Sequence, residues 1–401
     1  MSHSCRHCGS SLNHQVIDLG HQPPSNAYLS ADQLGRPELT YPLRVLICTK
    51  CWLVQLPAHA AAEDLFTPDY AYFSSTSSSW CAHAERYVAA AIKRLDLGTR
   101  SHVVELASND GYLLQYVQQL GISCLGIEPT LATAEAARIK GIPTLERFFD
   151  SQLAEALEPA DLVVANNVLA HVPDINDFLA GIAKLLKPKG MASIECPHLL
   201  KLLQGNQFDT IYHEHYSYLS LQVVERMASV AGLTLVDVEE LPTHGGSLRL
   251  WLAPEAAGRQ PTPSVAVVRA KEQAAALESL EAWEDFQHRA EAAKNSLLRF
   301  LLSEREAGRS VLGYGAAAKG NTLINYAGLR SDLLAAVADR ASSKQGRYLP
   351  GSHIPVISPQ QLAERDPHTL LVLPWNLIEE VAQQCPGRRL ATAIPELRLR
   401  G

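Results

Sequence analysis

The sequence predicts an α/β fold in three parts: a small cysteine-rich module, a parallel sheet covered by helices on both faces, and a second, smaller α/β unit. Strand-like apolar segments alternate with helical patterns between residues 102 and 195, and again between residues 310 and 394, which predicts the two sheets. The third observation is a pair of C-x-x-C motifs near the N-terminus. We expect the module at residues 1–75, the large sheet at 76–260, a helical linker at 261–305 and the smaller unit at 306–401.

The bulk composition is typical of a globular enzyme. The chain has 401 residues, more than one hydrophobic core usually organises, so two or three domains are expected. The net charge of -7 argues against a surface that binds nucleic acid or an anionic membrane. No apolar run is long enough to span a bilayer, and residues 1–5 lack the apolar stretch of a signal peptide. We therefore expect a cytoplasmic protein.

Four of the eight cysteines form two pairs in the first module, Cys5-x-x-Cys8 and Cys48-x-x-Cys51. Two such pairs supply the four thiolates that tetrahedral zinc needs. One pair alone could be a redox motif, but two pairs in one short module favour zinc; His3 and His7 are less favoured substitute ligands. A closed four-thiolate site leaves no position for water, so we assign this zinc to folding.

The remaining elements follow from local patterns. A serine-rich passage at residues 74–79 leads into a helical pattern at 82–95, which places the module boundary near residue 75. Segments 234–239 and 248–252 can close the large sheet as an antiparallel edge pair. The Ala-, Glu- and Leu-rich segment 266–306 predicts one long helix or two shorter ones. Strands of the smaller unit are expected at 310–314, 334–339, 370–374 and 391–394.

A candidate cofactor turn follows the first strand of the large sheet, at Glu105-Leu-Ala-Ser-Asn-Asp-Gly111. Small residues such as Ala107 let a ligand approach the backbone, and the following helix start presents free N–H groups. Class I methyltransferases have a more glycine-rich turn here, and Ala107 and Asn109 replace two of the glycines.

The spacing of later residues supports a methyl-donor site. Glu128 ends the second strand about twenty residues further on, where a carboxylate can accept the hydroxyls of a ribose. Asn166 and Asn167 end the third strand and can line the pocket. A dinucleotide is the competing ligand, but its G-x-G-x-x-G fingerprint is absent from this turn, so S-adenosylmethionine is favoured.

A long connection after residue 195 carries Tyr212-His213-Glu214-His215-Tyr216, a concentration of side chains that hold or move protons near neutral pH. Because it leaves the carboxyl end of a strand, it should hang over the ligand cleft. These residues could instead satisfy one another or bind a metal. Adjacent side chains point apart, however, so at most two of the three central residues could face one ion.

The smaller unit has its own strand, small-residue turn and helix start at Gly313-Tyr-Gly-Ala-Ala-Ala-Lys319-Gly-Asn321. Such a turn suits a pyrophosphate, through backbone N–H groups and the charge of Lys319. A close-packed structural turn is the alternative interpretation.

Taken together, the four-cysteine module, the turn at 105–111, the cluster at 212–216, His244-Gly-Gly-Ser247 and the turn at 313–321 resemble the bacterial sugar C-methyltransferases. The resemblance covers nearly the whole chain. It implies a class I methyltransferase Rossmann-like sheet, an N-terminal zinc module and a C-terminal Rossmann-like domain. It also implies deprotonation of a nucleotide-linked 4-keto deoxyhexose beside its ketone, followed by methylation of the enolate at carbon 3.

The same resemblance implies roles for particular residues. His215 is the expected base, with Glu214, Tyr212, His171 and Tyr72 as further catalytic residues. The enolate needs a hydrogen-bond donor, which Tyr212 or His171 could supply. Donor-binding residues are Glu105, Ala107, Asn109, Gly111, Glu128, Asn166 and Asn167, and substrate-binding residues are His244, Lys319, Asn321, Asp339 and Arg347. The expected substrate is a dTDP-sugar, and the expected protein is a monomer or homodimer.

Other functions stay open at this point. One is a methyltransferase of the same architecture that acts on a non-sugar ketone or a hydroxyl group. A zinc-ribbon methyltransferase of nucleic acids is disfavoured by the acidic net charge and by the lack of a basic, aromatic-rich stripe. A non-catalytic sugar-binding protein would have little use for the cluster at 212–216.

Overall fold

The computed structural model describes residues 3–61, 65 and 73–401. The N-terminal module begins with a short hairpin of β1 (His3–Ser4) and β2 (Ser11–Leu12), and continues with β3 (His14–Gln22), β4 (Tyr41–Ile47) and β5 (Val54–Gln55). Strands β3, β4 and β5 pair antiparallel in that order. The helix Ser78–Leu95 then leads into the second domain, and the side chain of its N-cap residue Ser77 accepts the Trp80 N–H.

The second domain is built on a seven-stranded mixed sheet. Its strands are β6 (His102–Leu106), β7 (Ser123–Ile127), β8 (Thr144–Leu145), β9 (Ala160–Asn166), β10 (Leu186–Pro197) and, after β11 (Ser217–Tyr218), β12 (Leu233–Leu241) and β13 (Ser247–Pro254). The order across the sheet is β12-β13-β10-β9-β6-β7-β8. Strands β6 to β10 are parallel, and β13 pairs antiparallel with both β10 and β12, as predicted for the edge pair.

Helices cover both faces of this sheet because its strands are apolar on both sides; all five residues of β6, for example, are buried. The helices are Leu114–Gln119, Leu131–Ile139, Ser151–Glu155, Ile175–Leu185, Leu199–Gln204 and Leu221–Val230. The connection after β10 is therefore less irregular than its sequence suggests, since it contains the helix Leu199–Gln204 and a short turn of 3-10 helix at Phe208–Thr210.

Strand β11 does not belong to the large sheet. It pairs antiparallel with β5, through Ser217 with Gln55 and Tyr218 with Val54, and so completes a four-stranded sheet in the order β11-β5-β4-β3. The end of the long connection after β10 is therefore an edge strand of the N-terminal module.

The segment between the two sheets contains two helices, Pro263–Ala274 and Phe286–Glu306, which is the second of the two predicted arrangements. The C-terminal domain has β14 (Val311–Tyr314), β15 (Val337–Ala338), β16 (Val356–Ile357), β17 (Thr369–Val372), β18 (Arg389–Thr392) and β19 (Arg398–Arg400). The order is β16-β15-β14-β17-β18-β19, with only β19 antiparallel. Its helices are Ala318–Tyr326, Pro359–Arg365 and Ile378–Gln384.

One hydrophobic core crosses the boundaries between the parts. It joins Leu43 of the module, Phe208 of the long connection, Phe286 of the linker and Leu371 of the C-terminal sheet. Buried apolar contact of this kind fixes the three parts against one another, so that residues from all of them can line a common cleft. Of the helices in the described part of the chain, none combines the length and the apolar character needed to cross a lipid bilayer.

Candidate functional site

The four cysteines of the two C-x-x-C pairs come together in the module. Their sulfur atoms all lie within 4.8 Å of one another, with Cys5 and Cys51 3.5 Å apart and Cys8 and Cys48 3.5 Å apart. Tetrahedral zinc with bonds of about 2.3 Å needs sulfur separations of about 3.8 Å, which this cluster fits. His7 lies elsewhere, because its Nδ1 hydrogen-bonds to Asn176 Oδ1 at 2.7 Å.

Arg6 joins the four-cysteine cluster to the long connection after β10. In the sequence it stands between Cys5 and Cys8. The Arg6 guanidinium lies 5.1 Å from the centroid of the Tyr216 ring and donates to the carbonyl oxygens of Leu56 and Pro173. The Leu56 backbone N–H donates to the backbone carbonyl oxygen of Tyr216 at 3.0 Å. The end of the cluster at residues 212–216, called the acid/base cluster below, is therefore anchored on the metal-binding module.

The candidate donor turn has the backbone that a close ligand approach requires. Ala107, Asn109 and Gly111 have positive φ angles of 52°, 51° and 74°. A side chain at position 111 would place its Cβ 2.4 Å from the Ile142 side chain, so glycine is required there. Asn109 Oδ1 also accepts the Ser74 N–H at 2.8 Å, which ties the turn to the residues just before the helix Ser78–Leu95.

Buried polar atoms without partners surround this turn. Both carboxyl oxygens of Glu105 and the side-chain oxygens of Asn166 and Asn167 have no hydrogen bond among the described residues. Burial, and then the nearby carboxylates of Glu128 and Asp110, raise the pKa of Glu105 well above its usual range. Unsatisfied buried acceptors are costly, so this set of residues fits a ligand that brings hydroxyl and amino donors, as S-adenosylmethionine does.

Glu128, which the sequence predicts at the ribose of the cofactor, also has partners within the protein. Its Oε2 accepts the Asn109 N–H at 2.9 Å and its Oε1 accepts the Thr130 N–H at 2.9 Å. The carboxylate thus holds the donor turn together, and a ribose would have to share its remaining lone pairs.

The acid/base cluster faces the carboxyl ends of the large sheet. The ring centroids of His171 and His215 are 4.7 Å apart, and those of Tyr212 and His215 are 3.9 Å apart. His215 Nδ1 lies 2.8 Å from the Thr210 carbonyl oxygen, and His171 Nδ1 lies 2.7 Å from the Glu214 carbonyl oxygen. Each Nδ1 must donate, because a carbonyl oxygen only accepts, so each neutral ring keeps a lone pair on Nε2.

Burial controls the protonation of these groups. It lowers the pKa of His171 to about 4 and, together with the neighbouring His171, holds the pKa of His215 well below its usual range. Burial also raises the pKa of Glu214 to about 7. Glu214 Oε1 accepts from Asn26 Nδ2 at 3.1 Å, whereas Oε2 has no partner among the described residues.

His213 points away from this group, as adjacent side chains in an extended loop do. Its Nε2 contacts the Tyr41 carbonyl oxygen at 3.3 Å, and burial lowers its pKa to about 4. Tyr72, the other expected catalytic residue, lies outside the described residues.

The opposite wall combines a loop of the large sheet with the C-terminal domain. Asn167 Nδ2 donates to His244 Nε2 at 3.2 Å, and His244 has a positive φ of 55°. The backbone of Gly245 packs on the Trp375 ring, since a Cβ at position 245 would be 2.4 Å from it. Lys319 Nζ lies 4.9 Å from the centroid of the same ring and contacts Asn376 Oδ1 at 2.9 Å.

Three expected substrate residues are less directly placed. The buried Asn321 donates to the Ser25 carbonyl oxygen at 2.6 Å, and Asp339 accepts the Ala316 N–H at 2.7 Å within the C-terminal turn. Arg347 is exposed. Asn321 and Asp339 therefore help to hold the C-terminal turn and the N-terminal module. Of the expected substrate-binding residues, Lys319 contacts the Trp375 ring and His244 lies in the loop that packs against it.

Sequence reasoning missed Asp209 and Trp375. Trp375 Nε1 donates to Asp209 Oδ2 at 2.8 Å, and burial raises the pKa of Asp209 to about 6. Trp375 and Asn376 follow β17 at the carboxyl end of a parallel strand, which is the signal that could have found them.

A second missed group lies behind His244. Trp80 stacks on His83 with ring centroids 4.9 Å apart, and Glu195 accepts from His83, Arg249 and Thr243. Trp80 and His83 are neighbours on one helix, but Glu195, Thr243 and Arg249 lie far from them in the sequence, so no local motif connects the group.

Family models match three successive parts of the chain. Residues 5–66 match the model described as "Putative zinc binding domain", residues 80–238 match "Methyltransferase domain", and residues 242–393 match "C-methyltransferase C-terminal domain". Together these matches cover most of the chain in the order found in the structure.

Among characterised relatives, C-methyltransferase NovU of Streptomyces niveus is 33% identical over 98% of this chain and 96% of its own length. A ubiquinone biosynthesis O-methyltransferase of Bartonella quintana is 23% identical over 34% of this chain and 61% of its own length. Magnesium protoporphyrin IX methyltransferase of Synechocystis, solved with bound S-adenosylhomocysteine, covers 43% of this chain and 81% of its own, with 14% identity and a TM-score of 0.35.

Proposed function

Because this chain belongs to the C-methyltransferase family, and is an S-adenosylmethionine-dependent enzyme with a structural zinc site, we propose that it methylates carbon 3 of a nucleotide-linked 4-keto deoxyhexose. The proposal rests on the motifs at 105–111, 212–216, 244–247 and 313–321, and on the cleft that their residues line. A ketone acidifies the neighbouring C–H, so a neutral base and a donor to the ketone oxygen are the groups the reaction needs.

The hydrogen bond between His215 Nδ1 and the Thr210 carbonyl oxygen carries the mechanistic part of the proposal. It fixes the tautomer in which Nε2 is unprotonated, and burial keeps the ring neutral at physiological pH. His215 Nε2 can then remove the proton from carbon 3. The Tyr212 ring, 3.9 Å from that of His215, restricts the orientation of the imidazole.

Glu105, Asn166 and Asn167, the residues of the methyl-donor site, would hold S-adenosylmethionine with its methyl group toward this cleft. When bound, this cofactor supplies an electrophilic methyl group. The enolate carbon formed by His215 is the nucleophile that needs it.

The enolisation step can be tested without methyl transfer. Wild-type protein with S-adenosylhomocysteine in deuterated water should exchange the carbon 3 hydrogen of a dTDP-linked 4-keto deoxyhexose. His215→Gln should reduce this exchange by at least about a hundredfold, the usual contribution of a general base, while binding of S-adenosylhomocysteine is kept. His213→Gln is the matched control from the same loop, because His213 faces Tyr41 instead of the cleft. A near-wild-type exchange rate in His215→Gln would remove His215 as the base.

The acceptor itself is tested with a panel of dTDP-, GDP- and CDP-linked 4-keto deoxyhexoses, with mass spectrometry for the gain of one methyl group. Methylation of a non-sugar ketone or of a hydroxyl group, without turnover of any member of the panel, would favour the alternative acceptor class.

A further inference from the structure

We propose that the Lys319 ammonium stabilises the enolate oxygen, a catalytic role that rests on the proposed function. Lys319 is the second residue of the helix Ala318–Tyr326, and its Nζ reaches the Trp375 and Asn376 side chains that follow β17. This position is on the cleft side of the C-terminal domain. The ammonium can therefore donate to an oxygen of the substrate, because it does not hydrogen-bond to the turn at residues 313–321.

Trp375 connects Lys319 to both other walls of the cleft. Its indole N–H donates to Asp209, which precedes Thr210, the residue that holds His215. Its ring edge is covered by Gly245, the neighbour of His244. One rigid aromatic ring thus fixes the ammonium relative to the base and to the His244 loop.

The charge of Lys319 is not neutralised by a close ion pair. Among the described residues no carboxylate forms an ion pair with Nζ within 4.0 Å, where Asn376 is the hydrogen-bond partner. The nearby Asp209 accepts from the Trp375 indole through Oδ2, and its Oδ1 has no partner in that part of the chain. The field of Lys319 reaches the imidazoles on the other walls, where it helps to lower the pKa of His215 and that of His244. A partly buried cation without a close carboxylate partner is suited to receive a developing negative charge.

The imidazoles of the cluster are poorly suited to the same task. Both His171 and His215 use Nδ1–H on a backbone carbonyl oxygen, so their neutral rings offer only an accepting Nε2. Burial holds the pKa of each well below its usual range, which disfavours the imidazolium that could donate. Burial lowers the pKa of Lys319 from its usual high value, and the charge of Asp209 opposes that shift. The protonated side chain supplies N–H donors and a positive charge at once.

The pyrophosphate role expected for Lys319 is less well supported. In the turn itself the Ala316 N–H is already bonded to Asp339 Oδ2, and the Ala316 carbonyl oxygen accepts from Tyr28 and Lys344. A diphosphate at this turn would meet the Asp339 carboxylate, a like charge.

The step balances without further reagents. His215 Nε2 takes the proton from carbon 3, and the electrons of that C–H bond form a double bond between carbons 3 and 4. The π electrons of the ketone move onto its oxygen, where Lys319 Nζ donates a hydrogen bond. On methyl transfer carbon 3 would form a bond to the methyl group as its bond to sulfur breaks, S-adenosylhomocysteine would leave, and the oxygen would return to a ketone. The proton taken by His215 passes to solvent, with which it can also exchange before transfer.

The test separates enolisation from nucleotide binding. For Lys319→Met we expect deuterium exchange at saturating substrate to fall by about 100- to 1000-fold, as when one oxyanion donor is removed, with the dTDP dissociation constant changed by less than about threefold. Lys319→Arg keeps the charge and should recover part of the exchange. Lys294→Met is the matched control, because Lys294 Nζ lies 4.8 Å from the Tyr326 ring centroid in a similar lysine-aromatic contact.

Three results would overturn the proposal. Exchange by Lys319→Met within about fivefold of wild type would remove the role, and a tenfold or larger rise in the dTDP dissociation constant with unchanged saturated exchange would assign Lys319 to the diphosphate. Equal loss of S-adenosylhomocysteine binding in Lys319→Met and Lys319→Arg would mean a structural role. Absence of exchange in the wild type would instead refute the proposed function itself, so the two failures are distinguishable.

Discussion

The imidazole rings of His171 and His215 lie with their centroids 4.7 Å apart, and both are oriented by backbone carbonyl oxygens of the same long connection. His171 lies in the 3-10 turn Leu169–His171 that follows β9, whereas Thr210 and Glu214, which supply those oxygens, lie in the connection after β10. A change in this connection therefore moves both rings. The pair is a geometric unit whose protonation is set by burial.

The pH dependence of methyl transfer should be governed by Glu214 and not by His215. The pKa of His215 is well below its usual range, so the base stays neutral throughout pH 6 to 8. Glu214, with its pKa raised to about 7 by burial, ionises within that interval. Its added negative charge opposes enolate formation, so kcat/KM should fall above about pH 7. Glu214→Gln should abolish this inflection, and an unchanged profile in that variant would contradict the assignment.

Folding stability should decline as pH falls from about 6.5 to 4. His171, His213 and His244 each have a pKa near 4 in the folded protein, lowered by burial from an ordinary value of 6.5. The unfolded chain thus binds more protons in this window, and protonation favours unfolding. Glu214, whose pKa is raised, acts in the opposite direction between about pH 4.5 and 7.

His213→Gln isolates one of these contributions, because glutamine can still donate to the Tyr41 carbonyl oxygen but does not titrate. The fall in unfolding free energy of the zinc-loaded protein, measured by denaturant titration from pH 7 to 4, should become smaller by up to about 3 kcal/mol. Parallel curves for wild type and variant would show that His213 is not held neutral by the fold.

Zinc removal should strongly reduce methyl transfer although the metal-binding cysteines lie outside the cleft. Cys48→Ser removes one of the four ligands. Without its metal the module should unfold, and the pairing of β5 with β11 and the contact of Arg6 with Tyr216 should then be lost. We expect less than one zinc per chain by metal analysis and at least about a tenfold loss of turnover. Cys385→Ser, a serine replacement at a half-buried cysteine of the C-terminal domain, should keep both. Full activity of a zinc-free protein would show that the metal is not needed to hold the long connection after β10 in its active position.

The fold class and the metal site could be predicted from the sequence because their signals are local. The alternation that gives β6 to β10 and the antiparallel pair β12 and β13 are confirmed, as is the zinc site formed by Cys5, Cys8, Cys48 and Cys51. In each case neighbouring residues carry the pattern, either as periodic apolar positions or as paired cysteines.

What the sequence did not reveal depends on contacts between distant residues. The two-residue pairing of β11 with β5 is too short to produce a periodic signal. The contact of Trp375 with Asp209 joins two domains, and the use of Glu128 to hold the Asn109 N–H depends on how the turn closes. The proposed roles of individual site residues stay predictions.

The sheet of the N-terminal module is assembled from two distant stretches of the gene product, residues 14–55 and Ser217–Tyr218. During synthesis all four cysteines emerge from the ribosome long before the strand that completes this sheet. Recombination between two related genes at a point between these stretches would join a module to a foreign edge strand. The metal-binding module and the catalytic connection should therefore be inherited together, and chimeric enzymes should exchange both or neither.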